Sequence, residues 1–266
     1  MRFHDAAEPV RFHDAAEPMR FHDVAEPVRH LVDPARRTEQ ILGQPFSNPA
    51  SVLDWASPSH IVNEFVKQAI GYDIFGEAAQ AFAGDWHQVW QAAGACRNLA
   101  GAMQDIGINV SAGNVELDAH WQGNARDASY DYFARLSAAI SAQQLALNAM
   151  ADAYEKAAEG TYRIAETVSG IMKDIVDAAM IGAVAASAGT ATIETGVGFV
   201  TGWGVAAYEA YKIAELAARA RRLIATASAL IGTVAGEIQA ASTSTGILAR
   251  HPLLSHPYQH PAGGTA

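Results

Sequence analysis

From His120 to Val176 the chain reads HWQGNARDASYDYFARLSAAISAQQLALNAMADAYEKAAEGTYRIAETVSGIMKDIV. Apolar residues recur in it every three or four positions: Phe133, Leu136, Ile140, Leu147, Met150, Tyr154, Ala157, Ile164, Val168, Ile171 and Ile175, with Gln143 and Thr161 the interruptions. That period predicts one long helix packing along a narrow seam. Upstream, Asp85 stands as an N-cap after Gly84, and Val89, Ala92, Cys96, Leu99, Met103, Ile106 and Val110 repeat the spacing as far as Leu117. Between the two rows lies Trp121-Gln122-Gly123, where glycine can take the left-handed backbone that reverses a chain. Two long helices around a tight break predict an all-α protein built on an antiparallel αα-hairpin over residues 85–176.

The flanks read differently. Residues 1–58 form an expected disordered leader and linker that opens with a nonapeptide repeat: Arg2–Val10 (RFHDAAEPV), Arg11–Met19 (RFHDAAEPM) and Arg20–Val28 (RFHDVAEPV), with a degraded fourth copy from Arg29. A proline in each copy prevents one continuous helix. His4, His13 and His22 recur beside Asp5, Asp14 and Asp23, but duplication alone dictates that spacing, so no metal site is expected. Residues 59–84 carry a short amphipathic helix on Ile61, Val62, Phe65, Val66 and Ile70. Residues 177–240 are predicted as a Gly/Ala-rich segment followed by a third long helix on Ile213, Leu216, Ala220, Leu223, Ala227, Leu230 and Val234. Residues 241–266, rich in Ser and Thr and then in His and Pro, are expected to be a disordered tail.

Composition narrows the function. Eighteen basic against 28 acidic residues leave a net charge of −10, the wrong sign for a nucleic-acid partner. The single cysteine, Cys96, excludes an internal disulfide and a cysteine-based zinc site, and its place on the seam makes it a small core residue rather than a nucleophile. No phosphate loop, dinucleotide fingerprint, serine elbow or zinc-protease motif is present, so no enzyme and no cofactor are expected. His120 with Asp118 and Asp127 reads as a hydrated turn, not a catalytic base. The start, MRFHDAAEPV, lacks the apolar run of a cleavable signal peptide.

Forty-one residues after Trp121 comes Tyr162-Arg163-Ile164-Ala165-Glu166, a Y-x-x-x-E whose ends lie one helical turn apart and share a face. With the W-x-G break and the helical setting, this resembles the WxG family of type VII secretion substrates, the early-secreted-antigen-like hairpins of actinobacteria. The resemblance covers about residues 85–168, roughly a third of the chain. It implies pairing of two hairpins into a four-helix bundle, as a homodimer or with a WxG-family heterodimer partner. It also implies a bipartite export signal for the type VII secretion ATPase, carried by Trp121 and Gly123 at the turn and by Tyr162 and Glu166 in the second helix. Such a protein is cytoplasmic before export and secreted or cell-surface afterwards. This chain departs from the family in its long additions at both ends and in a second seam that runs past Tyr162 without a break.

Two rival readings come from the same residues. Gly198 and Gly202 form a G-x-x-x-G spacing that brings helices close in lipid, and Ala178–Ile193 with Thr195–Tyr208 would make a membrane-inserting hairpin. At sixteen and fourteen uncharged residues, both stretches fall short of the roughly 18 to 20 needed to span a bilayer. A cytoplasmic helical adaptor is the other alternative.

Overall fold

The computed structural model describes residues 21–43, 45–52, 60–191, 197–242, 249, 252–256 and 258. These residues form six α-helices: α1 (Pro34–Leu42), α2 (His60–Ile70), α3 (Ile74–Phe82), α4 (Trp86–His120), α5 (Asn124–Ala191) and α6 (Val197–Ser242), with single 3-10 turns at Pro27–His30 and Pro49–Val52. The fold is all-α and is built on a long αα-hairpin. Asp85 caps α4 as the sequence predicts, its side chain accepting from the Gln88 N–H at 3.1 Å.

The 68-residue α5 is the spine. Its first half packs against α4 and its second half against α6, while α2 and α3 fill the side of the second half. The main core sits there. Val62 and Val66 of α2 and Ile74, Ala78 and Phe82 of α3 meet Ala165, Val168, Ile171, Met172 and Ile175 of α5 and Ile213, Ala217 and Ala220 of α6. Ile213, Met172, Ile175 and Phe82 are fully buried, each worth about 1.5–3 kcal/mol relative to exposure. On the rim Arg221 of α6 pairs with Glu77 of α3 and lies 3.6 Å over the Tyr72 ring. The guanidinium holds Glu77 below the usual glutamate range. The contact's contribution is therefore fully present above the usual glutamate range and is lost as the pH falls through the lowered pKa of Glu77, beneath that range.

The seam expected on α4 is not the face it buries. Leu99 and Ile106 are exposed, whereas Ala93, Gly94, Asn98, Ala100, Asp105, Gly107 and Asn114 are buried. The reason is proximity: a Cβ on Gly107 would overlap Ser141 of α5, so the helices meet through small and polar side chains. Arg97 sets the register. It donates to both carboxylate oxygens of Glu155 (3.2 and 2.9 Å), to Asn148 (3.2 Å) and to Asp152. Ser137 donates to the Gly107 carbonyl at 2.8 Å, and Asn114 to the Tyr130 carbonyl at 3.1 Å.

Other boundaries shift too. In the leader, expected to be disordered through residue 58, the described residues 21–43 and 45–52 are ordered: they run along α4, form α1 and stack Phe46 on Trp90 at 5.1 Å. The first repeat copies lie outside the described residues. The helix beginning at Asn124 does not end near residue 176 but continues through the Ala-rich stretch to Ala191, and the third helix starts at Val197, taking in Gly202 and Gly204. There Gly202 lies against the Gly189 backbone, where a Cβ would stand 2.6 Å from its Cα. Of the expected disordered tail, Tyr258 is held in place: it packs on Tyr132 and donates to the Ala125 carbonyl at 3.0 Å, and most of the remaining tail lies outside the described residues. Removing Arg97 strands a buried carboxylate, so Arg97→Ala should destabilise the protein by about 3 kcal/mol. Arg97→Met with Glu155→Leu should recover most of that loss, both read by urea unfolding.

Candidate functional site: the hairpin turn and the mid-helix Tyr-Glu pair

The turn is made by two backbone choices. Trp121 leaves α4 in an extended conformation (φ −127°, ψ 141°), its N–H still donating to the Leu117 carbonyl at 3.1 Å. Two residues later Gly123 adopts φ +98°, a region other residues rarely enter. Nothing lies within 4 Å of where a Gly123 Cβ would stand, so the demand for glycine there is conformational and not steric. Asp127 N–H closes the first turn of α5 on the Gly123 carbonyl at 3.2 Å.

Trp121 is half-buried in a shallow recess with Leu117, Asn114, Arg126 and Tyr130. Arg126 ties the two helices across the turn, pairing with Asp118 of α4 and, at 2.7 Å, with Asp127. The guanidinium also lies 5.8 Å over the Tyr130 ring. Trp121 therefore stays partly exposed at a tip crossed by charge pairs. His120 turns away into an interaction with the Glu116 carbonyl at 2.9 Å, consistent with a capped turn.

Tyr162 and Glu166 are both in the body of α5, half-buried and exposed respectively. By helical period they continue the row of Gln144, Asn148 and Glu155, whose side chains bond to Gln104 and Arg97 of α4. Thirty-eight residues of helix between Asn124 and Tyr162 amount to about 57 Å at 1.5 Å per residue. The structure brings Trp121 together with Gly123 and Tyr162 together with Glu166. It does not bring the two pairs together within one chain.

Sequence reasoning missed Arg97, Asp105, Asn109 and Arg126. The signal that points to them is glycine: Gly94, Gly101, Gly107 and Gly113 recur through α4, and a helix so marked is one that neighbouring segments approach closely. Half-burial pushes the Cys96 thiol up, which disfavours the nucleophilic thiolate.

The hairpin face beside these residues is apolar and only partly covered. Leu99 (45% exposed) and Ile106 (37%) of α4 stand with the half-buried Met103 and Val110, and Leu136, Ile140 and Leu147 of α5 are also half-buried. A second apolar region lies at the α5–α6 end, where Met180, Ile181, Val184, Val200, Trp203, Tyr208 and Tyr211 are all exposed.

Two glycine-to-alanine changes separate turn strain from helix propensity. Gly123→Ala should cost about 1–2 kcal/mol, the penalty of a Cβ in left-handed backbone. Gly170→Ala, at an equally open position inside α5, should stabilise by about 1 kcal/mol. Thermal unfolding of both variants reads the opposite signs. Compared with known proteins, the chain matches no family model, no curated protein and no solved structure.

Proposed function

We propose that this protein is a non-enzymatic type VII secretion substrate, or the trafficking domain of one, exported as a folded helical bundle. The observation that supports it is a long hairpin reversed at Trp121-x-Gly123, with an incompletely covered apolar face around Leu99 and Ile106. That face suits a second hairpin, either another copy of this chain or a WxG-family partner. The secretion ATPase would read Trp121 and Gly123 at one end of the hairpin, and Tyr162 and Glu166 at the other. The roughly 57 Å between the pairs makes sense of partnering, since a second bundle chain laid antiparallel sets its own turn beside this chain's Tyr162. Export from a type VII-competent host tests the reading. Wild type should appear in the culture filtrate, while Trp121→Ala and Tyr162→Ala, both folded by circular dichroism, should stay in the lysate. Equal retention of all three would instead favour a cytoplasmic adaptor.

A second reading is favoured by the α5–α6 end. Among the described residues Val200–Ala240 is the one helix long and apolar enough to cross a membrane, and little of it is buried. Exposed Trp203, Tyr208 and Tyr211 are amphipathic rings of the kind that settle at a lipid–water interface. On this reading the chain floats with phosphatidylcholine vesicles in a density gradient, and Val200→Asp with Trp203→Glu releases it. Failure of the wild type to float would exclude it.

A further inference from the structure

The segment from Phe21 to Pro34 runs antiparallel to α4 along one row of residues spaced three or four apart: Gly113, Asn109, Asp105, Gly101, Asn98 and Gly94. Ring and glycine alternate with polar groups. Phe21 lies over Gly113, its Cδ1 3.4 Å from where a Cβ would stand. Asn109 then grips the backbone: its Oδ1 accepts from the N–H groups of Val24 (3.0 Å) and Ala25 (2.9 Å), and its Nδ2 donates to the Ala25 carbonyl (2.9 Å). Further on, Asp105 pairs with Arg29 (3.2 Å) and His30 (3.0 Å), the His30 ring covers Gly101, and Asn98 donates to the Val32 carbonyl at 2.7 Å.

The seat around Asn109 and Gly113 holds the third copy of the nonapeptide. What that copy presents to α4 is what all three copies share. Ala25 and Pro27 are its half-buried residues, and Phe21 is its ring on Gly113; their counterparts are Ala7 and Ala16, Pro9 and Pro18, Phe3 and Phe12. The copies differ at two positions, 24 and 28 in the third, and both side chains point to solvent at 65% and 74% exposure. Asn109 reads only main chain, so valine or alanine at position 24 makes no difference to it. No second seat follows. The two ring seats, Gly101 and Gly113, are twelve residues apart, and a third at that interval would fall at position 125, beyond the end of α4 at His120.

We propose that the Asn109–Gly113 seat is a docking site for the nonapeptide unit itself, and that Arg2–Val10 and Arg11–Met19 exchange into it with Arg20–Val28. The chain thus carries one peptide-binding site and three tandem ligands for it. His30 on Asp105 stays as the fixed anchor. Four residues separate Ala25 from His30, thirteen separate Ala16, and 22 separate Ala7. Loop-closure odds falling as the 3/2 power of length put the second copy roughly sixfold, and the first roughly thirteenfold, below the third. The seated copy is therefore replaceable, and a cut or substitution in one copy leaves the α4 face covered.

The side-chain amide of Asn109 reports the seat in a ¹⁵N spectrum of the full-length chain, assigned by its loss in Asn109→Asp. Ala25→Pro removes a donor to Asn109 and unseats the third copy. If the copies exchange, the docked signal persists with its odds reduced roughly fivefold, because the first two copies take over. Ala7→Pro, Ala16→Pro and Ala25→Pro together should abolish it. The Arg97 Nε signal, held by Glu155, should stay in place in every variant and so excludes unfolding as the cause. The proposal is overturned if Ala25→Pro alone gives the spectrum of the triple variant. It is equally overturned if the triple variant keeps the wild-type signal.

Discussion

Close approach of α4 to α5 is the constraint on which the first half of the molecule depends. With Gly107 against Ser141 and Ser137 bonded to the Gly107 carbonyl, there is no room between the helices for branched apolar side chains. The interface must then be filled with small residues and with polar ones that find partners. Arg97, half-buried and matched to Glu155, Asp152 and Asn148, supplies the polar register that an apolar seam would have left free to slip. Glu155 alone would be a buried charge and Arg97 alone another. Only one axial alignment of the helices satisfies both.

A consequence is that part of the apolar row of α4 faces outward. Leu99 and Ile106 keep the helical period but stay exposed, Met103 and Val110 are half-buried, and the leader covers Gly94, Gly101, Asn109 and Gly113 on another side. The second half of the molecule follows the opposite rule. Around Val168, Ile171 and Ile175 the core is conventional and apolar, with α2 and α3 wedged against α5 and α6. One helix thus serves two packing chemistries along its length, and the change falls near Glu155, where α4 gives way to the short helices.

This division explains what the sequence makes legible. Helix class, the Asp85 cap, the reversal at Trp121 and Gly123 and the buried row from Ala157 to Ile175 all follow from period, capping and glycine chemistry, and the structure has them. The buried face of α4 does not follow, because period alone does not choose between an apolar stripe and a small, polar one on the same helix. The deciding partners are remote: His30 and Asp105 are 75 residues apart, and Arg97 and Glu155 are 58 apart. Order in the leader is hidden for a related reason. Asn109 holds it through main-chain groups, which leave no mark on side-chain composition.

The separation of the two motif pairs bears on how such a chain is read by anything that binds it. Residues 124–162 form unbroken helix without a proline, so Trp121 and Tyr162 stay apart by roughly the length of the hairpin. A receptor recognising both pairs on one chain would have to extend along the whole hairpin. A compact receptor would meet both only where a second hairpin lies antiparallel to the first, turn against start. The apolar strip of Leu99 and Ile106 runs along that route, between the two ends. On the secretion reading proposed above, the uncovered strip and the two separated motif pairs would both be met by the same second chain.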